Sequence, residues 1–159
     1  MIKDEIDKLL TWAYTTYGLV LHDHQKKSFV LGFDTYLKKK SLDFNQCFSE
    51  LNKSGSPIRQ DMVDLLTIQE SYFFRDQSLF VFLTHHRLPT LIKKKREENN
   101  KKISIWSAGC SQGQELYSLA ILLDELIPDI QSWEVQLIGT DINHKALGHR
   151  SVSAEMRQI

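Results

Sequence analysis

Few arrangements satisfy the run from Ile103 to Leu123. A short apolar segment, Ile103 to Ser107, has the character of a buried strand. It passes into a turn, Ala108 to Gly113, and then into helically spaced apolar residues from about Gln114 to Leu126. Pro128 cannot supply the N–H that an interior helical position needs, and it sets the end of that helix. Strand, glycine-bearing turn and helix in that order form the opening unit of α/β sheets that bind nucleotides or cofactors. Gly109 and Gly113 let backbone come close to a ligand with no Cβ in the way. The same pattern also fits a plain strand-to-helix turn whose glycines serve geometry alone.

The chain has 159 residues, which suits one ordinary domain or two small ones. Hydrophobic residues make up 42% and charged residues 25%, the balance of a soluble globular protein. Formal net charge is zero, so bulk charge gives no support to a nucleic-acid partner. Cys47 and Cys110 have no metal-ligand spacing and suggest no disulfide framework; no metal site and a reduced, cytoplasmic setting are expected. The N-terminus is charged from its first residues, and no apolar run approaches the roughly 18 residues of a membrane span. No membrane insertion is expected.

Residues 1 to about 65 predict a series of short helices. Ile2, Ile6, Leu9, Leu10 and Ala13 share helical spacing, and a break follows near Gly18. Asp23 suits the N-cap of a second helix carrying Phe29, Leu31, Phe33, Tyr36 and Leu37. That helix ends in Lys38, Lys39 and Lys40, cations set against the negative end of its dipole. Phe44, Cys47, Phe48 and Leu51 predict a third helix, and Ile58, Met62, Leu65 and Leu66 a fourth, with a turn at residues 54–57 between them. Lys26, Lys27, Lys38, Lys39 and Lys40 could meet an acidic partner; a solvated helix face explains them equally.

The segment from Leu66 to Gln77 runs from polar Thr67, Gln69, Glu70 and Ser71 into Tyr72, Phe73, Phe74, Arg75 and Asp76. Polar groups beside aromatics and an arginine suit a loop lining a site, or a linker anchored by its rings. An apolar helical face follows, with Phe80, Phe82, Leu83, Leu88, Leu91 and Ile92, and Pro89 is expected to kink or restart that helix. After the central unit, Trp133 to Thr140 alternates as a second strand and ends in Asp141. A carboxylate at that tip can accept from both hydroxyls of a ribose. It can also cap the helix that begins near His144.

Three motifs stand in order: Thr67, Glu70, Ser71, Tyr72, Phe73, Phe74, Arg75 and Asp76; then Ile105 to Ala120, with Gly109, Gly113, Glu115 and Tyr117; then Gly139 to Asn143. Together they resemble the CheR-type chemotaxis receptor methyltransferases, from about residue 1 to Leu147. The resemblance implies an α/β fold: a small all-helical N-terminal domain followed by the first part of a Rossmann-like S-adenosylmethionine-dependent methyltransferase domain. Residues 1–65 would be the receptor-recognition domain, 66–90 a linker carrying a cofactor-facing motif, and 91–159 the methyltransferase part. The implied activity is methyl transfer from S-adenosylmethionine to glutamate side chains on the cytoplasmic helices of methyl-accepting chemotaxis receptors. S-adenosylhomocysteine is the other product.

The resemblance also assigns residues. Gln69, Ser71 and Arg75 would meet the cofactor or the reaction centre, with Arg75 the catalytic candidate. Gln69 stands where many members have asparagine, and Ser71 where threonine is usual. Ala108 and Gly109 fall in the turn that passes close to the cofactor, Glu115 faces it from the first helix, and Asp141 meets its ribose or adenine end. Lys26, Lys27 and Lys38 to Lys40 would contribute to the receptor-facing surface. Gln112, Gln114 and Leu116 depart from the Thr, Glu and Pro that members often carry, but Glu115 and both glycines remain.

Residues 148–159 do not continue the pattern, and the family's later strand motif with Asn and Arg is absent. Two parallel strands cannot bury both faces of a doubly wound sheet. The expectation is a C-terminally truncated member, at best weakly active, for which a frameshift, a premature stop or a gene fragment would account. The alternative is a non-catalytic receptor-binding module or an inactive fragment.

Overall fold

The computed structural model describes residues 3–67, 70–148 and 153–155. The chain forms two compact units, Met1–Ile68 and Gln69–Ile159.

The first unit is helical: α1 Lys3–Tyr17, α2 Asp23–Lys40, α3 Phe44–Leu51 and α4 Pro57–Leu66. Its core follows from the apolar spacing. Phe33 is fully buried, with the rings of Phe29, Tyr36 and Phe44 5.9, 6.5 and 6.5 Å away. Leu9, Leu51 and Met62 close on it from the other three helices. Asp23 is not the N-cap of α2 but its first residue. His22 takes the cap position, and its N–H donates to the Gln25 side chain at 2.8 Å. Asp43 caps α3 through a reciprocal pair with Gln46. The Tyr36 hydroxyl donates to Asp61 at 3.0 Å, and burial pushes its phenol well above the usual range.

The second unit opens with α5 Gln77–Phe82, capped by the Asp76 carboxylate accepting from the Leu79 N–H at 3.0 Å. Pro89 stands in the first turn of a restarted α-helix, and the chain stays helical into it. The chain passes through a π-helical turn, Leu83–Arg87, directly into α6 Leu88–Glu97. A proline leaves one carbonyl a turn earlier without its N–H. The wider turn falls where that deficit arises.

Then come β1 Lys102–Ala108, α7 Gln114–Leu126, β2 Glu134–Thr140, α8 His144–Leu147 and β3 Ser153–Glu155. Strands β1 and β2 pair in parallel, Ile103 opposite Val135 and Trp106 opposite Ile138. Beyond the two expected strands, β3 pairs antiparallel with β2. One face of the sheet buries Ile103, Val135 and Leu137 with Leu119 and Leu123 of α7 and Ile92 of α6. On the other face Trp106 is 67% and Ile138 38% exposed. An ion-paired knot ties the end of α6 to the start of the sheet: Arg96 and Lys101 both meet Asp129, and Arg96 lies 5.3 Å over the Trp133 ring. The Arg96 hydrogen bond, then that of Lys101, holds the Asp129 carboxyl well below the usual range.

Both thiols are buried, and burial pushes the Cys47 thiol up to about 11. Thiolate is the reactive form, so neither cysteine should react at neutral to mildly alkaline pH while its unit is folded. Ellman's reagent at pH 8 should titrate both thiols in denaturant and almost none before it; rapid stoichiometric labelling of the native chain would contradict this packing.

Candidate functional site

The C-terminal ends of β1 and β2 lie side by side, Ala108 opposite Thr140. The turn after β1 is bound to the tip of β2: the N–H groups of Gly109 and Cys110 both donate to the Thr140 carbonyl, at 2.7 and 3.0 Å. Gly109 has φ +82°, a conformation that favours glycine, and a Cβ there would meet nothing within 4 Å. There is therefore open space beside this glycine. Ser111, two residues on, is also left-handed at φ +50°.

Asp141 holds this turn. One carboxylate oxygen accepts from the Ser111 N–H at 2.8 Å, the other from the Asn143 N–H at 2.7 Å. Asp141 is not the cap of the following helix; Asn143 fills that role, its side-chain oxygen accepting from the Ala146 N–H at 2.9 Å. Glu115 lies in the first turn of α7, where the helix dipole favours an anion. Its Oε1 accepts from the Ser107 hydroxyl at 2.6 Å, which fixes the carboxylate over the end of β1. Burial, and then the Asp141 charge, pushes the Cys110 thiol above its usual range, so it stays neutral beside the turn.

The linker motif stands in the same unit. The Arg75 guanidinium donates to the Glu70 carbonyl and lies 5.9 Å over the Tyr72 ring. The Phe74 N–H donates to the Ser118 hydroxyl of α7 at 3.0 Å, and the Phe73 ring lies 6.4 Å from Tyr117. Ser71 is half-buried. Gln69 lies outside the described residues.

The structure thus brings Ala108, Gly109, Glu115 and Asp141 together at the strand tips, and it ties the Arg75 segment to α7. In the helical unit, Lys26 pairs with Asp23, Lys38 with Asp34 and Lys40 with Asp61, so much of that charge is matched internally. Lys27 and Lys39 are exposed. Sequence reasoning gave no role to Ser107, Ser111 or Ser118, which lie within the motif, or to Gln114, noted only as a departure from it. Serines carry no periodic signal, and their roles depend on partners distant in the chain.

A family profile described as "CheR methyltransferase, SAM binding domain" matches residues 69–153. The chain belongs to the CheR methyltransferase family. It is 32% identical over 148 residues to the chemotaxis protein methyltransferase of Borreliella burgdorferi, covering 91% of this chain and 52% of that relative. To chemotaxis protein methyltransferase 1 of Pseudomonas aeruginosa it is 36% identical over 137 residues, covering 83% and 48%. To the probable chemotaxis protein methyltransferase of Rhizobium etli it is 29% identical over 136 residues, covering 84% and 50%. The chain spans about half the length of these curated relatives. Among the described residues, no helix is long and apolar enough to cross a membrane.

The residues of this CheR-family site fit S-adenosylmethionine. The turn at Gly109 is open, and the Ser111 Oγ and Gln114 Oε1 atoms are buried without a hydrogen-bond partner. Buried polar atoms rarely remain unpaired in a finished structure. A ligand rich in hydroxyl and ammonium donors can satisfy Gln114 and the open lone pairs of Glu115 and Asp141.

Proposed function

We propose that the chain carries the cofactor half of a protein-glutamate O-methyltransferase acting on methyl-accepting chemotaxis receptors. The observation that carries this reading is the convergence of Gly109, Glu115 and Asp141 at two parallel strand tips within a CheR-family match. S-adenosylmethionine supplies an electrophilic methyl group when bound. Glu115 and Asp141 hold its hydroxyl and amine donors, and the backbone at Ala108 and Gly109 permits close approach. Arg75 would pair with a carboxylate, that of the cofactor's methionine end or of the acceptor glutamate. The acceptor glutamate is already ionised near neutral pH, so no strong general base is required. The work of the site is to align donor and acceptor and to keep water out. The products would be glutamate methyl ester and S-adenosylhomocysteine, and the setting cytoplasmic. Gln69 and Ser71 belong to the same cofactor-facing motif, and the helical unit, with Lys26, Lys27 and Lys38 to Lys40, to receptor recognition.

The test incubates the chain with methyl-labelled S-adenosylmethionine and a receptor cytoplasmic fragment. Base-labile label on the fragment, released as methanol, is the expected result, at a low rate. Receptor binding with no label would instead favour a non-catalytic module. Arg75→Ala should weaken S-adenosylhomocysteine binding about 10- to 100-fold, the worth of roughly 1.5–3 kcal/mol for a hydrogen bond to a charged group. Unchanged affinity by equilibrium dialysis would remove Arg75 from the cofactor site.

A further inference from the structure

We propose that Ser118 is a positioning residue for Arg75, its hydroxyl fixing the backbone of the linker motif against α7. The proposal rests on the methyltransferase reading for its consequence in cofactor binding, but its geometry stands on the hydrogen bonds alone.

Ser118 is fully buried in the middle of α7, a place where serine has no intrinsic advantage. Its hydroxyl donates to the Gln114 carbonyl one turn earlier, at 2.7 Å. That bond is the usual way a helical serine satisfies itself. The second bond is not. The oxygen also accepts the Phe74 N–H at 3.0 Å, from a residue 44 positions away in the chain.

Phe74 has φ +54°, left-handed backbone that large L-residues avoid. Such a conformation persists only where its surroundings over-determine it. Two contacts do so here: the N–H bond to Ser118, and the ring set edge-on to Phe80 at 5.1 Å. The left-handed residue reverses the chain between Phe73, whose ring lies against Tyr117, and Arg75, whose guanidinium crosses Tyr72 to the Glu70 carbonyl. Without the hydroxyl, the Phe74 N–H loses its partner and the residue relaxes toward negative φ. Arg75 is the next residue, so its side chain leaves its place.

The test compares the 159-residue chain with Ser118→Ala, Arg75→Ala and the double variant. Amide hydrogen exchange read by NMR should rise at least tenfold at Phe74 in Ser118→Ala, while α7 and β1 keep their protection. Ser118→Thr, which keeps the hydroxyl, should retain most of it. Unchanged exchange at Phe74, or a rise spread evenly over the unit, overturns the proposal whether or not the cofactor binds. Calorimetry with S-adenosylhomocysteine then separates positioning from general stability. Ser118→Ala should lose affinity in the wild-type background and lose nothing further when Arg75 is already alanine. Multiplying losses would assign Ser118 a merely structural role. Absence of binding by the wild-type chain would sink the methyltransferase reading and leave the exchange result to decide the geometry.

Discussion

Asp141→Ala should reduce S-adenosylhomocysteine affinity by about 100-fold or more and destabilise the second unit by about 2 kcal/mol. The carboxylate accepts one backbone N–H on each oxygen, from Ser111 and from Asn143. Hydrogen bonds to an ionised acceptor are about twice as strong as neutral ones. Alanine removes both and leaves the Ser111 N–H, in a left-handed and unfavoured conformation, without its anchor. The turn that presents Gly109 then loses its fixed form, and a proposed ligand for the cofactor is lost as well. Asp141→Asn should fall between, because an amide offers one acceptor oxygen and sets its NH2 against the other N–H. Equilibrium dialysis gives the affinity and urea unfolding the stability. Full affinity in Asp141→Ala would show that the turn holds itself.

Gly139→Ala should cost about 1–3 kcal/mol, and Gly139→Val more. A Cβ at this strand position would lie 2.5 Å from Leu116 Cδ1, 2.8 Å from Cys110 Sγ and 3.0 Å from Cys110 Cβ. Leu116 and Cys110 are 2% and 1% exposed, so neither can swing into solvent. The glycine is there because the turn and the first turn of α7 pack directly onto β2. Displacing them moves Glu115 and the Gly109 turn together, so cofactor affinity should fall in step with stability. Urea unfolding followed by circular dichroism should show a lower midpoint at unchanged slope. A midpoint equal to wild type would mean that the strand and turn are looser than this packing implies.

The parts of the fold that rest on local periodicity were legible in the sequence. The change from a compact apolar strand to helical spacing marks β1 and α7, and Pro128 ends α7 where expected. The four helices of the first unit follow from their apolar spacing in the same way. Pro89 was ambiguous because a proline in a helix can be accommodated by a kink, a restart or a wider turn, and only the neighbouring packing chooses. Asp141 was ambiguous for a chemical reason. A carboxylate at a strand tip can serve a sugar, a helix cap or a turn, and the backbone N–H groups that claim it here belong to residues on both sides. The roles of Ser107 and Ser118 were invisible, because each acts through a partner that only the folded chain brings near. The family motif contains both serines, but only the folded chain shows that Ser107 meets Glu115 and Ser118 meets the Phe74 N–H.

The central claim is that these strand tips bind the methyl donor and its product. Titration calorimetry of S-adenosylhomocysteine into the 159-residue chain, run beside Glu115→Gln and Asp141→Ala, tests it most directly. A saturable one-site isotherm for the wild-type chain, weakened in both variants, is the predicted result. No heat from a chain that still melts cooperatively, or equal affinity in all three proteins, would contradict it.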